Sequence, residues 1–382
     1  MTPEEVELLS ELTIVIPTYN RPLEIERAIE YWRDLPVTVH ILDGSEKLFF
    51  PVGQIIGSPR IFYHHLPPKN GESSRQNYSF RINFGTKLPV TRYTALCADD
   101  DAFTLSGLRQ VLETLNAESG LDAMIGRTAM YDGLQSISWF LRYHDLRSSN
   151  VYASNDVFIR LINDNRAPWL YYGVVKTELW KKLFQLSFEF DISLLATEQL
   201  MRLIDRGLCR IKIIEHILWI RQENHYPPGP SLIKTLVNWG RFSERRIMKN
   251  QLKKAIRFID PSASKVRAYR VAKDLTAHRL FRKFFRKKRL GKLMISNFIG
   301  IFRRVPLSIR CRIVELLPPV VTARLGYYPI SKERQHATTR TNCDEFISNL
   351  SKTDIRIVGE ELKNYEKLLK MPREELRLRA NI

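Results

Sequence analysis

Arg92-Tyr93-Thr94-Ala95-Leu96-Cys97-Ala98-Asp99-Asp100-Asp101-Ala102-Phe103 is the stretch on which the reading of the fold turns. Its small, apolar and β-branched residues from Thr94 to Ala98 suit a buried strand. The run then stops at three successive carboxylates. Like charges repel, so clustering them at a strand end is unfavourable unless a cation compensates. Hard divalent cations such as Mg²⁺ take oxygen ligands, typically one or two carboxylates plus substrate phosphates. In an extended segment Asp99 and Asp101 would face one way and Asp100 the other. A solvated acidic turn is the competing reading of the same residues.

Working outward, Leu12-Thr13-Ile14-Val15-Ile16-Pro17-Thr18-Tyr19-Asn20-Arg21-Pro22 reads as a buried strand, stopped by Pro17 and followed by a polar loop. Leu23 to Trp32 has helical apolar spacing, and Val37 to Ser45 is a second strand ending in Asp43 and a glycine turn. Arg60 to Leu66 is a short third strand, and Ser73 to Phe84 a helix carrying Arg75 and Asn77. The order β-α-β-β-α-β predicts an α/β sheet, and such sheets bind ligands at the carboxyl ends of their strands. Thr18, Asp43 and Asp99 to Asp101 each close a strand, so the fold should bring them together. Further on, Leu105 to Asn116 reads as a helix and Leu121 to Met130 as a strand. Tyr171 to Lys176 reads as a strand entering a helix, and Ile211 to Ile220 as a strand. Trp139, Phe140, Tyr143, Tyr152 and Trp169 lie in a loop-rich region, where most such rings fill cores or contacts.

The run from Ile14 to Pro22 resembles the opening signature of family-two nucleotide-sugar glycosyltransferases of the GT-A fold. Asp43-Gly44-Ser45 is similar to the acidic end of their second strand. Asn70-Gly71 with Arg75 and Asn77 resembles their following loop and helix, and Asp99 to Asp101 stands at their Asp-x-Asp position. The resemblance covers roughly residues 11 to 225. It implies a GT-A (Rossmann-like), mostly parallel sheet flanked by helices; the charge distribution and helical spacing beyond residue 230 add a basic α-helical C-terminal extension. The implied activity is an inverting, metal-dependent transferase of the hexosyltransferase type. It would move a sugar from a nucleoside-diphosphate sugar to a glycan or lipid-linked acceptor. Pro17, Thr18, Tyr19, Arg21, Asn70 and Asp100 would line the donor pocket, with Asp43 accepting hydrogen bonds from base or ribose. Asp99 would meet the ribose, Arg75 the diphosphate, and Asp101 with Asp99 would hold Mn²⁺ or Mg²⁺. His225 is a candidate late metal ligand. Inversion needs a carboxylate base, for which Glu198 is the candidate and Asp191 the runner-up. A nucleotidyltransferase is the alternative enzyme, but residues 12 to 22 lack the glycine and lysine of a phosphate loop. A degenerate nucleotide-sugar fold that binds polyanions or nucleic acid is the non-enzymatic alternative.

The chain has 382 residues and a net charge of +19. Arg241 to Val320 holds 23 of the 60 Lys/Arg but only 4 of the 41 Asp/Glu, so the whole excess sits there. The expected division is a transferase domain over 1–230, a basic helical extension over 231–330, and a tail with a mixed-charge helix over 331–382. Leu280 to Arg289 interleaves aromatic and cationic residues, which fits an interfacial helix on an anionic membrane surface first, an ordinary helical subdomain with solvated cations second, and a nucleic-acid contact third. Cys97, Cys209, Cys311 and Cys343 lack metal or disulfide spacing, Met1 to Ser10 has no signal-peptide pattern, and Leu293 to Phe302 is too short to span a bilayer. The expectation is a cytoplasmic protein held peripherally at the inner membrane surface.

Overall fold

A computed structural model describes residues 1–55, 57–69, 71–72, 74–132, 137–142, 170–188, 201, 204–205, 207–222, 242–261, 264–266, 268–269, 342–348 and 355–380. The chain forms two compact units. One comprises Met1–Asp191, Met201–Asn224 and Thr338–Ile382; the other comprises Ile192–Leu200 and His225–Ala337.

In the first unit, α1 (Pro3–Ser10) leads into β1 (Leu12–Thr18), α2 (Pro22–Trp32) and β2 (Thr38–Asp43). Two strands follow, β3 (Gly53–Gln54) and β4 (Ile61–His65), then α3 (Ser74–Gly85), β5 (Tyr93–Leu96) and β6 (Ala102–Phe103). The chain continues through α4 (Leu105–Ala117), β7 (Ala123–Asp132), β8 (Ser138–Arg142), β9 (Val174–Lys176), α5 (Thr177–Phe188) and β10 (Ile211–Gln222). The strands form a ten-stranded sheet in the order β3-β4-β2-β1-β5-β9-β7-β10-β6, with β8 on β7. Strands β4, β2, β1, β5, β7 and β10 run one way, while β3, β9, β6 and β8 run the other. This is the helix-flanked α/β sheet expected from the strand and helix periodicities.

The central strand β1 is buried almost throughout because both of its faces carry helices, which is why it reads as a continuous apolar run. Pro17 does not stop it. The ladder with β2 continues through Pro17↔Leu42 to Thr18↔Asp43. Proline lacks only the N–H donor, and the last carbonyl of the strand is used instead: Gly44 donates to the Thr18 oxygen at 3.0 Å. Under α2 and α4 the core gathers Ile14, Ile16, Trp32, Val39, Tyr93, Leu108 and Leu218.

The C-terminal segment is part of this unit. Helices α7 (Cys343–Ser348), α8 (Ile355–Lys370) and α9 (Arg373–Ala380) close a second core. There Val358, Leu362, Tyr365 and Leu369 meet Tyr131, Trp139, Ile217 and Ile220. Of the other unit, the described helix is α6 (Phe242–Ile259), with Leu252, Ala255 and Ile256 buried and Lys254 and Arg257 exposed. The proposed interfacial stretch Leu280 to Arg289 lies outside the described residues. Among the described residues no helix is long and apolar enough to cross a membrane.

Candidate active site

The polar ends of the parallel strands meet on one edge of the sheet. Beyond β5 the chain does not stay extended, and the carboxylates sit in a tight turn closed by the Asp101 N–H on the Ala98 carbonyl at 3.2 Å. The expected alternation, with Asp99 and Asp101 on one side and Asp100 on the other, is therefore replaced by turn geometry. Asp99 and Asp100 are drawn to one cation: Arg21 Nη1 donates to Asp99 Oδ1 and to Asp100 Oδ2, each at 2.8 Å. The Thr18 hydroxyl donates to Asp99 Oδ2 at 2.6 Å. Asp101 points elsewhere, its Oδ1 accepting the Gln222 N–H at 3.1 Å from the end of β10.

Burial, reinforced by the Asp100 charge, pushes the Asp99 carboxyl up to about 6 despite Arg21 and Thr18. The same two causes raise Asp101 well above the usual carboxylate range, with Arg221 and the Gln222 N–H opposing them. The turn is braced from below. The Tyr131 hydroxyl donates to the Asp100 carbonyl at 2.9 Å, the Tyr365 hydroxyl reaches the same oxygen at 3.5 Å, and Tyr31 donates to the Phe103 carbonyl.

The loop between β1 and α2 is pinned by Asn20. It takes the left-handed conformation (φ 54°), which asparagine tolerates better than most residues, and gives its N–H to Ser45 Oγ at 2.8 Å. Pro17 and Thr18 close β1, Arg21 faces the carboxylates, and Tyr19 is 45 % exposed with its ring 5.6 Å from the Arg81 guanidinium. Asp43, expected to accept from base or ribose, is 0 % exposed, and its two oxygens accept from the Ser45 N–H and hydroxyl and from the Tyr63 hydroxyl. Asn77 likewise holds the preceding loop, accepting from the Lys69 N–H at 2.9 Å. Arg75 lies on α3, but its side chain is outside the described residues, as are Asn70, Asp191, Glu198 and His225.

The carboxylates of Asp99 and Asp101 offer the hard oxygen donors that Mg²⁺ or Mn²⁺ prefers, and two crowded, buried acids are what a cation would relieve. Among the described residues no cluster of three or more His, Cys, Asp or Glu side chains is placed to hold a metal. Two carboxylates by themselves fit a cation that takes its remaining ligands from phosphate and water. The braces Tyr31, Tyr131, Tyr365 and Gln222 escape the sequence reading, as does Arg81, whose Nη1 donates to the Thr18 carbonyl at 3.3 Å. Tyr365 and Gln222 come from far along the chain and carry no local signal. Arg81 does carry one, since it stands four residues after Asn77 and so on the same buried helix face.

No protein-family model matches the chain, and no curated protein sequence does. Solved structures of TarS from S. aureus resemble it distantly. One shares 12 % identity over 82 % of this chain at a TM-score of 0.44, and this chain spans 50 % of that longer one. A second, of TarS residues 1–349, gives 13 % identity, 85 % and 90 % coverage and a TM-score of 0.41. A third, the same fragment in complex with UDP-GlcNAc, gives 12 %, 85 %, 91 % and 0.41.

Proposed function

We propose that this protein is an inverting glycosyltransferase that moves a sugar from a nucleoside-diphosphate sugar to a glycan or lipid-linked acceptor. One observation carries the reading. Thr18, Arg21 and the Asp99–Asp101 turn, separated by about eighty positions in the chain, converge at the carboxyl ends of the central parallel strands. Open α/β sheets bind nucleotides at that edge. Thr18 and Arg21 orient the Asp99 carboxylate, Gln222 orients that of Asp101, and Tyr19 offers an exposed ring against which a base can stack. A divalent cation on Asp99 and Asp101 would act as a Lewis acid for the departing diphosphate. Glu198, or Asp191, takes the acceptor hydroxyl's proton. The basic segment over 231–330 lies on an anionic membrane surface, where a lipid-linked acceptor is presented.

The test is release of nucleoside diphosphate from a panel of UDP-, GDP- and ADP-sugars, with Mn²⁺ or Mg²⁺ and with EDTA. Asp101→Asn should lower turnover by at least about a hundredfold while leaving the fold intact. Wild-type turnover in that variant rules the reading out. The membrane part is checked by co-sedimentation with anionic vesicles, which deletion of residues 276–305 should abolish.

A further inference from the structure

Arg81 is a cation that the protein buries without a direct ion pair among the described residues. It is 6 % exposed on α3. Its Nη1 makes one long hydrogen bond, 3.3 Å to the Thr18 carbonyl, and its Nε is buried with no partner. The carboxylate whose charge reaches it, Asp43, already has both oxygens taken by Ser45 and Tyr63. Burial alone pulls the guanidinium below its ordinary value, yet arginine does not give up its proton in a protein. An uncompensated buried charge is costly, and the surroundings are shaped around it nonetheless. Gly44 leaves room for it: a Cβ there would stand 1.2 Å from Arg81 Nη1 and 2.2 Å from its Cζ, so any larger residue displaces the guanidinium. The rings of Tyr19 and Tyr78 flank the guanidinium at 5.6 Å and 5.7 Å. The charge is held where β1 and β2 end, against the backbone of the same Thr18 whose hydroxyl holds Asp99. Arg21, the other arginine at this edge, is engaged by Asp99 and Asp100.

We propose that Arg81 is a phosphate-binding residue whose guanidinium takes phosphoryl oxygens of the donor nucleotide. This rests on the nucleotide-sugar reading above and names the group that completes its charge balance. A guanidinium fork matches phosphate oxygens bidentately, which a lone ammonium does not. The diphosphate of a nucleotide and free inorganic phosphate share this chemistry, and the test separates them.

The experiment is calorimetric titration of the full chain with pyrophosphate, with inorganic phosphate and with UDP, GDP and ADP. It compares wild type with Arg81→Met, Arg81→Lys and Gly44→Ala. Arg81→Met should weaken pyrophosphate and the preferred nucleoside diphosphate by at least about tenfold. Arg81→Lys should recover part of that loss, and Gly44→Ala should weaken binding by pushing the guanidinium away with its charge kept. Without ligand, Arg81→Met should melt at or above the wild-type temperature, since it removes an unpaired buried charge. A large drop in melting temperature, or unchanged pyrophosphate affinity, overturns the assignment. Unchanged nucleotide binding in Arg81→Met sinks Arg81 while the nucleotide-sugar reading stands. Pyrophosphate or phosphate binding that needs Arg81, with no nucleoside diphosphate bound, sinks the nucleotide-sugar reading and keeps Arg81 as a phosphate site. If wild type binds none of these ligands, both fall.

Discussion

The Thr18 hydroxyl is the short link between the end of β1 and the carboxylate turn, and it donates to a carboxylate that is itself nearly buried. Replacing it with valine keeps the volume and removes the donor, leaving Asp99 with Arg21 alone. Thr18→Val should cost about 1–3 kcal/mol, read from urea unfolding, and should raise the Asp99 carboxyl further above about 6. A second residue-scale feature is the imidazole pair between β2 and β4, with His40 Nδ1 and His64 Nε2 3.0 Å apart. Burial and the neighbouring His64 push His40 down to about 4, and burial lowers His64 too. The unfolded chain binds these protons near 6.5 while the folded chain does not. The pair's contribution is therefore present above pH 6.5 and lost as pH falls towards 4. The raised Asp99 and Asp101 carboxyls act with the opposite sign. The comparison to make is thus between variants: His40→Gln should unfold with a shallower loss of stability between pH 6.5 and 4 than wild type.

At the scale of elements, α8 and α9 work as fasteners for helices near the start of the chain. Glu361 accepts the Ser106 N–H at 2.9 Å in the first turn of α4, where exposed backbone donors and the helix dipole favour a carboxylate. This adds to the helix's own N-cap, Thr104, which accepts from Gly107. Arg373 of α9 grips Glu26 of α2 through two bonds of 2.9 Å and 3.1 Å, and Glu26 is wholly buried. Arg373→Ala removes both of these bonds from a buried carboxylate. The expected cost is about 2 kcal/mol, below that of a fully buried pair because Arg373 is itself 41 % exposed. A denaturant midpoint shift without a change in slope is the signature to look for. None of these contacts was legible in the sequence. The mixed-charge pattern of Glu360 to Leu378 says only that a helix forms, and its partners lie some 250 to 350 positions away.

For the whole molecule, the consequence is that the carboxylate turn is assembled from both ends of the chain. Tyr365 reaches the Asp100 carbonyl, Trp139 donates to Glu366 at 3.0 Å, and Arg27 donates to the Leu369 carbonyl at 2.9 Å. Truncation after residue 341 should expose the second core and lose the cooperative thermal transition seen by circular dichroism. A truncated chain with a wild-type melting curve would show that α8 is dispensable.

What the sequence determined by itself is local. Alternating or continuous apolar runs specify which segments are strands and helices, and the polar residues closing Ile14–Thr18, Val39–Asp43 and Thr94–Asp101 already mark the edge where a ligand site should lie. The tertiary structure decided which of those residues remain available. Asp43, expected to meet a ligand, accepts from Ser45 and Tyr63. The three aspartates were expected to alternate but turn instead, two of them onto Arg21. Arg81, four residues after Asn77 on α3, is left buried with its Nε unpartnered. The reason is physical. Propensity and periodicity act over a few neighbours, whereas whether a carboxylate or guanidinium is satisfied depends on groups brought to it from tens to hundreds of residues away.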